Sequence, residues 1–335
     1  MGETFGLKNA YSKAIKALKN ALQIDPYYDE AYIVFSNIYT QREAYEKALQ
    51  TLEGAVVLIP ESSLLYIQLG DCYRLSGNYG KARENIEKAK KLSPKDAYAY
   101  GVLASIQFAQ EEYTNAIESA KKAIEYNPDH EYAYSLLREV YCELKKVDAA
   151  EELLKAYLKK YPENLYVHAN LGMLYQEYFH NYQQAYEMYK KVYDLDSNNV
   201  AFKENFIEAN LTTGRFEQAY NLAREMLKNQ NLTKEERLSM MLIAISALLC
   251  QEKRTNAFDE IKDFVTYYKS LQKDYERSWS YNGVKNFVNK NEGIGNYEKN
   301  IILTLIDILE SSDLKTANKK VEELKSSYPE IFVRT

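Results

Sequence analysis

The stretch SSLLYIQLGDCYRLSGNYGKARENIEKAKKLSPK, residues 62–95, reads as two helices joined by a turn. Tyr66, Leu69, Gly70 and Tyr73 fall three or four residues apart and so share one face of a first helix. Gly77-Asn78-Tyr79 interrupts that spacing. Ala82, Ile86 and Ala89 then mark one face of a second helix, and Pro94 ends it, because proline blocks helical propagation. The chain holds six prolines, and five of them (Pro26, Pro60, Pro94, Pro128 and Pro162) are spaced 34 residues apart. The unit is therefore repeated, and the neighbouring sequence can be laid over it.

Tyr32, Tyr66, Tyr100, Tyr134 and His168 take the first aromatic slot. Phe35, Leu69, Leu103, Leu137 and Leu171 follow. A small residue comes next in Ser36, Gly70, Ala104 and Gly172, where Arg138 departs; then come Tyr39, Tyr73, Tyr141 and Tyr175, where Gln107 departs. In the second helix Ala14, Ala48, Ala82, Ala116 and Ala150 recur, then Ala21, Ala55, Ala89 and Ala123, a series that Tyr157 breaks. Small residues at a helix crossing let two backbones approach, and a large neighbour fills the adjacent hole.

Aromatic–Leu–Gly–Tyr, then Tyr–Ala–Ile–Ala, then Pro, at this period, resembles the tetratricopeptide repeat. The resemblance is specific over residues 10–197, weaker to about 231 and lost beyond. It implies an all-α fold: an α-solenoid, a right-handed superhelix of helix–turn–helix hairpins, here with a C-terminal helical cap. One hairpin cannot bury its apolar face alone, but a stack makes a continuous core.

Residues 1–28 match only the second helix of a repeat, which raises the expectation of a longer protein cut at this point. Residues 29–231 form the array, six copies with the last divergent, and residues 232–335 a divergent hairpin followed by the cap. The copy at 165–199 carries one extra residue around Tyr178–Tyr182, and Ser197 stands where proline would be. Thr233 with Glu236 reads as a capping box opening a helix to about Leu249, with a partner helix at about 255–272. The lone Trp279 follows, then a stretch from Asn286 to Asn296 whose Asn and Gly predict a loop. Asn300–Leu309 is apolar and Leu314–Ser327 reads as an amphipathic last helix. Ile301, Ile302, Leu305 and Ile308 are expected to cover the last repeat.

A net charge of −5 argues against nucleic acid, which asks for a basic stripe. No apolar run approaches the roughly 20 residues of a membrane span, so membrane insertion is not expected. Cys72, Cys142 and Cys250 lie far apart, without metal spacing, and read as reduced thiols of a cytoplasmic protein. Tyrosine is the outlier at 32 residues; its ring packs while its hydroxyl stays available to water or a partner.

No catalytic constellation emerges. Gly77–Lys81 lacks the Gly and Ser or Thr that a phosphate loop needs at 75 and 82, where Leu75 and Ala82 stand, so it reads as the inter-helix turn. His130, His168 and His180 are isolated in sequence, and His168 fills an aromatic packing slot. No cofactor or metal is implied.

In tetratricopeptide arrays the first helices line the concave surface, at the second, fifth, ninth and twelfth positions of each copy. Carried over, this places Ile33, Asn37, Leu64, Ile67, Asp71, Arg74, Tyr98, Phe108, Tyr132, Glu139, Tyr166 and Met173 in a groove. Tyr98, Tyr132 and Tyr166 form a ladder, which either binds a peptide or braces neighbouring repeats. Glu30, Asp71, Glu139, Glu204 and Glu208 make the inward charge acidic, so an apolar segment with some Lys or Arg is the expected partner. The chaperone-type carboxylate clamp is not matched, since only Asn37 fits it. The reading is a non-catalytic scaffold that binds a partner protein or peptide. The alternatives are a peptide-sensing regulatory domain of a larger protein and, weaker, an enzymatic module in residues 232–335.

Overall fold

The computed structural model describes residues 2–271, 281–311 and 313–333; Trp279 lies outside them. Helix α1 (Gly2–Ile24) is continuous and is followed by four hairpins. These pair α2 (Asp29–Thr40) with α3 (Tyr45–Leu58), α4 (Ser63–Leu75) with α5 (Tyr79–Leu92), α6 (Ala97–Ala109) with α7 (Tyr113–Tyr126), and α8 (Glu131–Glu143) with α9 (Val147–Lys160). Next come α10 (Leu165–Glu177), α11 (Tyr182–Leu195), α12 (Val200–Thr212), α13 (Phe216–Met226), α14 (Lys234–Cys250) and α15 (Arg254–Ser270). The C-terminal helices are α16 (Asn282–Lys290), α17 (Asn296–Leu309), α18 (Leu314–Ser327) and α19 (Pro329–Phe332). The described residues contain no strand, so the fold is an all-α solenoid of stacked hairpins. None of these helices is long and apolar enough to cross a membrane. The chain divides into two units, Met1–Tyr166 and Val167–Thr335.

The seven tips between α2 and α15 use one device. Glu43, Gly77, Glu111, Lys145, His180, Gly214 and Glu252 all adopt positive φ, between 52° and 79°. The following N–H turns back on the first helix: Ala44 N–H to the Tyr39 carbonyl (3.0 Å), Asn78 to Tyr73 (2.8 Å), Glu112 to Gln107 (2.8 Å) and Lys146 to Tyr141 (2.8 Å). This is a Schellman closure, which satisfies carbonyls that the helix end leaves free. Glycine takes the left-handed conformation at little cost, whereas a side chain there costs about 1–2 kcal/mol. Five of the seven tips bear that cost. The extra residue of the fifth pair is absorbed at its tip, where Asn181 N–H reaches the Tyr175 carbonyl across a wider loop (2.8 Å).

The second helices also end alike. Ile59, Ser93, Asn127 and Tyr161 leave the helical region, with φ between −139° and −126° and positive ψ, each just before a proline that excludes the helical conformation from its predecessor. Asp196 takes the same conformation (φ −143°, ψ 83°) although Ser197 follows it. The exit is thus a property of the repeat, and proline reinforces it.

At the crossings the small residues are buried: Ala48, Ala55, Ala82, Ala89, Ala116 and Ala123 are at most 1% exposed. A Cβ on Gly70 would lie 2.7 Å from Ile86 Cδ1 and 3.2 Å from the Ala82 carbonyl, so a side chain there would have to push Ile86 aside. Where Tyr157 replaces alanine, its ring meets Tyr134 edge-on at 5.5 Å, and Tyr134 donates a hydrogen bond to the Pro128 carbonyl (2.8 Å).

In the unit Val167–Thr335, Thr233 and Glu236 form a reciprocal capping box, and α14 packs on α15. Ile301, Ile302, Leu305 and Ile308 of α17 are fully buried in one cluster with Leu238, Leu242 and Ile245 of α14. Two expectations need correction. The loop expected from Asn286 is confined to 291–295; residues 286–290 instead complete α16, because Val284, Phe287 and Val288 at helical spacing bury one face. Residues 314–327 are not the last helix either, since α19 follows with Pro329 in its first turn and Ile331 buried.

Two substitutions test this packing. Ala82→Leu overfills the crossing and should cost about 1–3 kcal/mol. Gly77→Ala places a side chain in the left-handed tip and should cost about 1 kcal/mol. Urea unfolding of the full chain followed by circular dichroism measures both.

Candidate functional site

On the first-helix face of the unit Met1–Tyr166 lies a cleft of about 510 Å³. Helix α4 supplies Asp71 and Arg74, α6 supplies Tyr98, Gly101, Val102 and Ser105, and the entry and first turns of α8 supply Asp129, His130, Glu131, Tyr132 and Ser135. Tyr166, in the first turn of α10, completes the lining. The cleft thus gathers Asp71, Arg74, Tyr98, Tyr132 and Tyr166 from the residues assigned by register. Tyr98 and Tyr132 are 61% and 45% exposed, large surfaces for apolar groups facing solvent. Arg74 is spent on Asp71, with Nε 2.8 Å from Oδ1. Asp129 and Glu131 leave the lining with an excess of negative charge, Asp129 also accepting from Asn164 Nδ2 at 3.0 Å.

The floor is His130, only 6% exposed. Its Nδ1 accepts the Ala133 N–H that opens α8 (3.3 Å), which puts the ring proton on Nε2. Burial lowers its pKa, so the ring is neutral at neutral pH. Nε2 has no hydrogen-bond partner and points at α6, where a Cβ on Gly101 would lie 2.8 Å away. The Tyr98 ring packs on the imidazole at 4.9 Å between centroids. In the sequence His130 stands isolated. The missed signal was its column: Ser62, Asp96 and His130 stand one period apart, and each caps the helix that follows.

The other register-assigned residues lie elsewhere. Asn37 accepts from Gln68 Nε2 (2.5 Å), Ile67 is buried, and Leu64 is exposed. Ile33 packs on the buried cluster of α3–α6. Phe108 pairs with Tyr113 at 6.0 Å, and Glu139 lies 3.5 Å from Arg138. Met173 belongs to the unit Val167–Thr335.

That second unit has a hollow of about 540 Å³ bordered by Arg224, Lys228 and Arg237. Two of these cations are already engaged: Arg224 pairs with Glu260 (3.1 Å), and Arg237 donates to the carbonyls of Leu227 and Asn229. Two inward carboxyls of α12 stand out more. Glu204 is 4% exposed, and neither of its oxygens has a hydrogen-bond partner. Burial, then the charges of Glu236 and Glu208, push its pKa up to about 8. Burial and the Glu177 charge raise Glu208 to about 7. Among the described residues no cluster of His, Cys, Asp and Glu could hold a metal ion.

Two family models, each described as a tetratricopeptide repeat, match the chain, one over residues 8–63 and 107–174 and the other over 63–96. No curated protein matches it. Among solved structures it is similar to pilF of Pseudomonas aeruginosa, with 21% identity and a TM-score of 0.46, covering 62% of this chain and 93% of that one. A thermophilic repeat protein of Thermus thermophilus aligns with 22% identity and a TM-score of 0.43, covering 56% of this chain and 100% of that one. YrrB, a repeat protein with an unusual peptide-binding site, aligns with 22% identity and a TM-score of 0.35, covering 56% of this chain and 95% of that one.

The carboxyls of α12 set a pH dependence. In the folded chain Glu204 keeps its proton up to about pH 8, whereas unfolded it loses it near the ordinary glutamate value of 4.5. The folded state therefore binds the extra proton, and stability falls as pH rises from about 4.5 through 8. Hydrogen exchange of α12 and α14 should be slower at pH 5 than at pH 9 after correction for intrinsic rates. Glu204→Gln should reduce the difference, leaving the part that Glu208 contributes below about pH 7.

Proposed function

Since this chain belongs to the tetratricopeptide repeat family through residues 8–96 and 107–174, we propose that it is a non-catalytic scaffold whose N-terminal unit holds a segment of a partner protein in the Tyr98 cleft. The observation that carries the reading is the composition of that lining. Three tyrosines from successive first helices share the lining with a neutral histidine, on which Tyr98 packs, with the one guanidinium neutralised and carboxylates left over. Tyrosine offers broad contact at low entropic cost, and its face attracts cations. The partner segment is apolar with some Lys or Arg: the apolar side chains lie on the rings, and the cations meet Asp129 and Glu131. The Nε2–H of His130 can donate to a carbonyl of that segment if the ring swings away from Gly101. The scaffold works in the cytoplasm, a reading supported by Cys72 and Cys250, neither of which is in a disulfide.

A peptide array probed with the full chain tests this. Bound sequences should be enriched in apolar residues with Lys or Arg, and binding should weaken as salt rises. Tyr98→Ala, Tyr132→Ala and Tyr166→Ala should each cost about 1–2 kcal/mol of binding. Ligands that bind the triple variant as tightly as the wild type would refute the cleft.

A further inference from the structure

Tyrosine fills one slot of the first helix at Tyr39, Tyr73, Tyr141 and Tyr175, and Gln107 of α6 is the exception. In the copy before it, Tyr73 is buried. Its hydroxyl donates to Glu53 Oε1, and Lys81 Nζ donates to the hydroxyl oxygen (3.3 Å) and lies 5.0 Å from the ring centroid. One period on, the counterparts Glu87, Gln107 and Asn115 border a hollow of about 280 Å³ between α5 and α7. Three side chains are smaller there: Gln107 stands for Tyr73, Asn115 for Lys81 and Ser119 for Asn85. The hollow is therefore the place that a tyrosine ring fills one repeat earlier. Gln107 is 7% exposed, and its Oε1 is buried with no hydrogen-bond partner. A buried acceptor without a donor is a standing cost, which a donor entering the hollow would remove. Lys90 and Lys122 border the same space, their Nζ atoms 5.3 and 5.7 Å from the Tyr100 centroid, so cations are in place to flank a second ring. Tyr100, Leu103 and Gln107 lie on the opposite face of α6 from Tyr98, Gly101 and Ser105, which keeps this hollow apart from the Tyr98 cleft.

We propose that this hollow is a binding site for a small phenol that carries a second hydrogen-bond donor. Tyr73 shows the chemistry its surroundings accept. The ring of the ligand takes the space of the absent tyrosine. Its hydroxyl donates to Glu87, as Tyr73 does to Glu53, and accepts from Lys90 Nζ, which stands 2.7 Å from Glu87 Oε1. The second donor meets Gln107 Oε1. This site is independent of the Tyr98 cleft, so either can fail while the other stands.

The probe is resorcinol, a single ring with two hydroxyls, titrated against the full chain and followed through amide resonances by NMR. It should shift the Gln107 side-chain amide saturably. Phenol, with one hydroxyl, should bind about fivefold more weakly, because Gln107 Oε1 stays unpaired. Glu87→Gln should weaken resorcinol about fivefold, since a charged acceptor holds a hydroxyl more strongly than a neutral one. Gln107→Tyr should fill the hollow from within, abolishing binding and raising the thermal midpoint. Should that variant fail to fold, Ser119→Asn decides: it narrows the hollow with the residue of the preceding copy and should weaken binding. The proposal is overturned if resorcinol gives no saturable shift at Gln107, or if phenol binds as tightly. It is equally overturned if the folded variants at 107 and 119 bind resorcinol as tightly as wild type.

Discussion

Backbone-to-backbone approach at Gly70, Ala82, Ala116 and their equivalents is the constraint from which the rest follows. A helix can lie this close to its neighbour only where one side chain is nearly absent and the opposing one, such as Ile86, fills the gap. The crossing fixes how each hairpin is packed, and so which positions of the first helix face inward. The Tyr98 cleft exists because three copies obey the same rule in succession.

Most of this was legible in the chain. The alanine columns, the tip at Gly77 and the exits before proline all repeat at one interval, and repetition turns weak local signals into a strong joint one. What escaped had a physical reason. The helix of residues 282–290 is rich in asparagine and holds a glycine, so its local preferences oppose its state; it forms because Val284, Phe287 and Val288 find a buried face. His130 escaped because a histidine cap is unusual, and because its role depends on the side chain missing at Gly101. The register assigned twelve groove residues by position alone. Position does not reveal that Arg74 is neutralised by Asp71 or that Asn37 already holds Gln68.

The two units treat the same inward positions in opposite ways. In one, polar and aromatic groups are left to solvent around a buried histidine. In the other, the Glu204 carboxyl is shut away from water, and that of Glu208 is met by the amide of a C-terminal helix. The difference arises from residues beyond the periodic part of the chain, which supply helix α16 to cover these positions.

The hairpin tips carry a last implication. Because the extra residue near His180 is taken up at the tip, on the water side of the joint, the copies after it keep their phase. A gain or loss of one whole period, begun anywhere between Asp29 and Pro162, would rebuild a complete hairpin at the junction, since each copy offers the same crossing, tip and exit. Array length can therefore drift by unequal recombination without any copy having to learn a new fold.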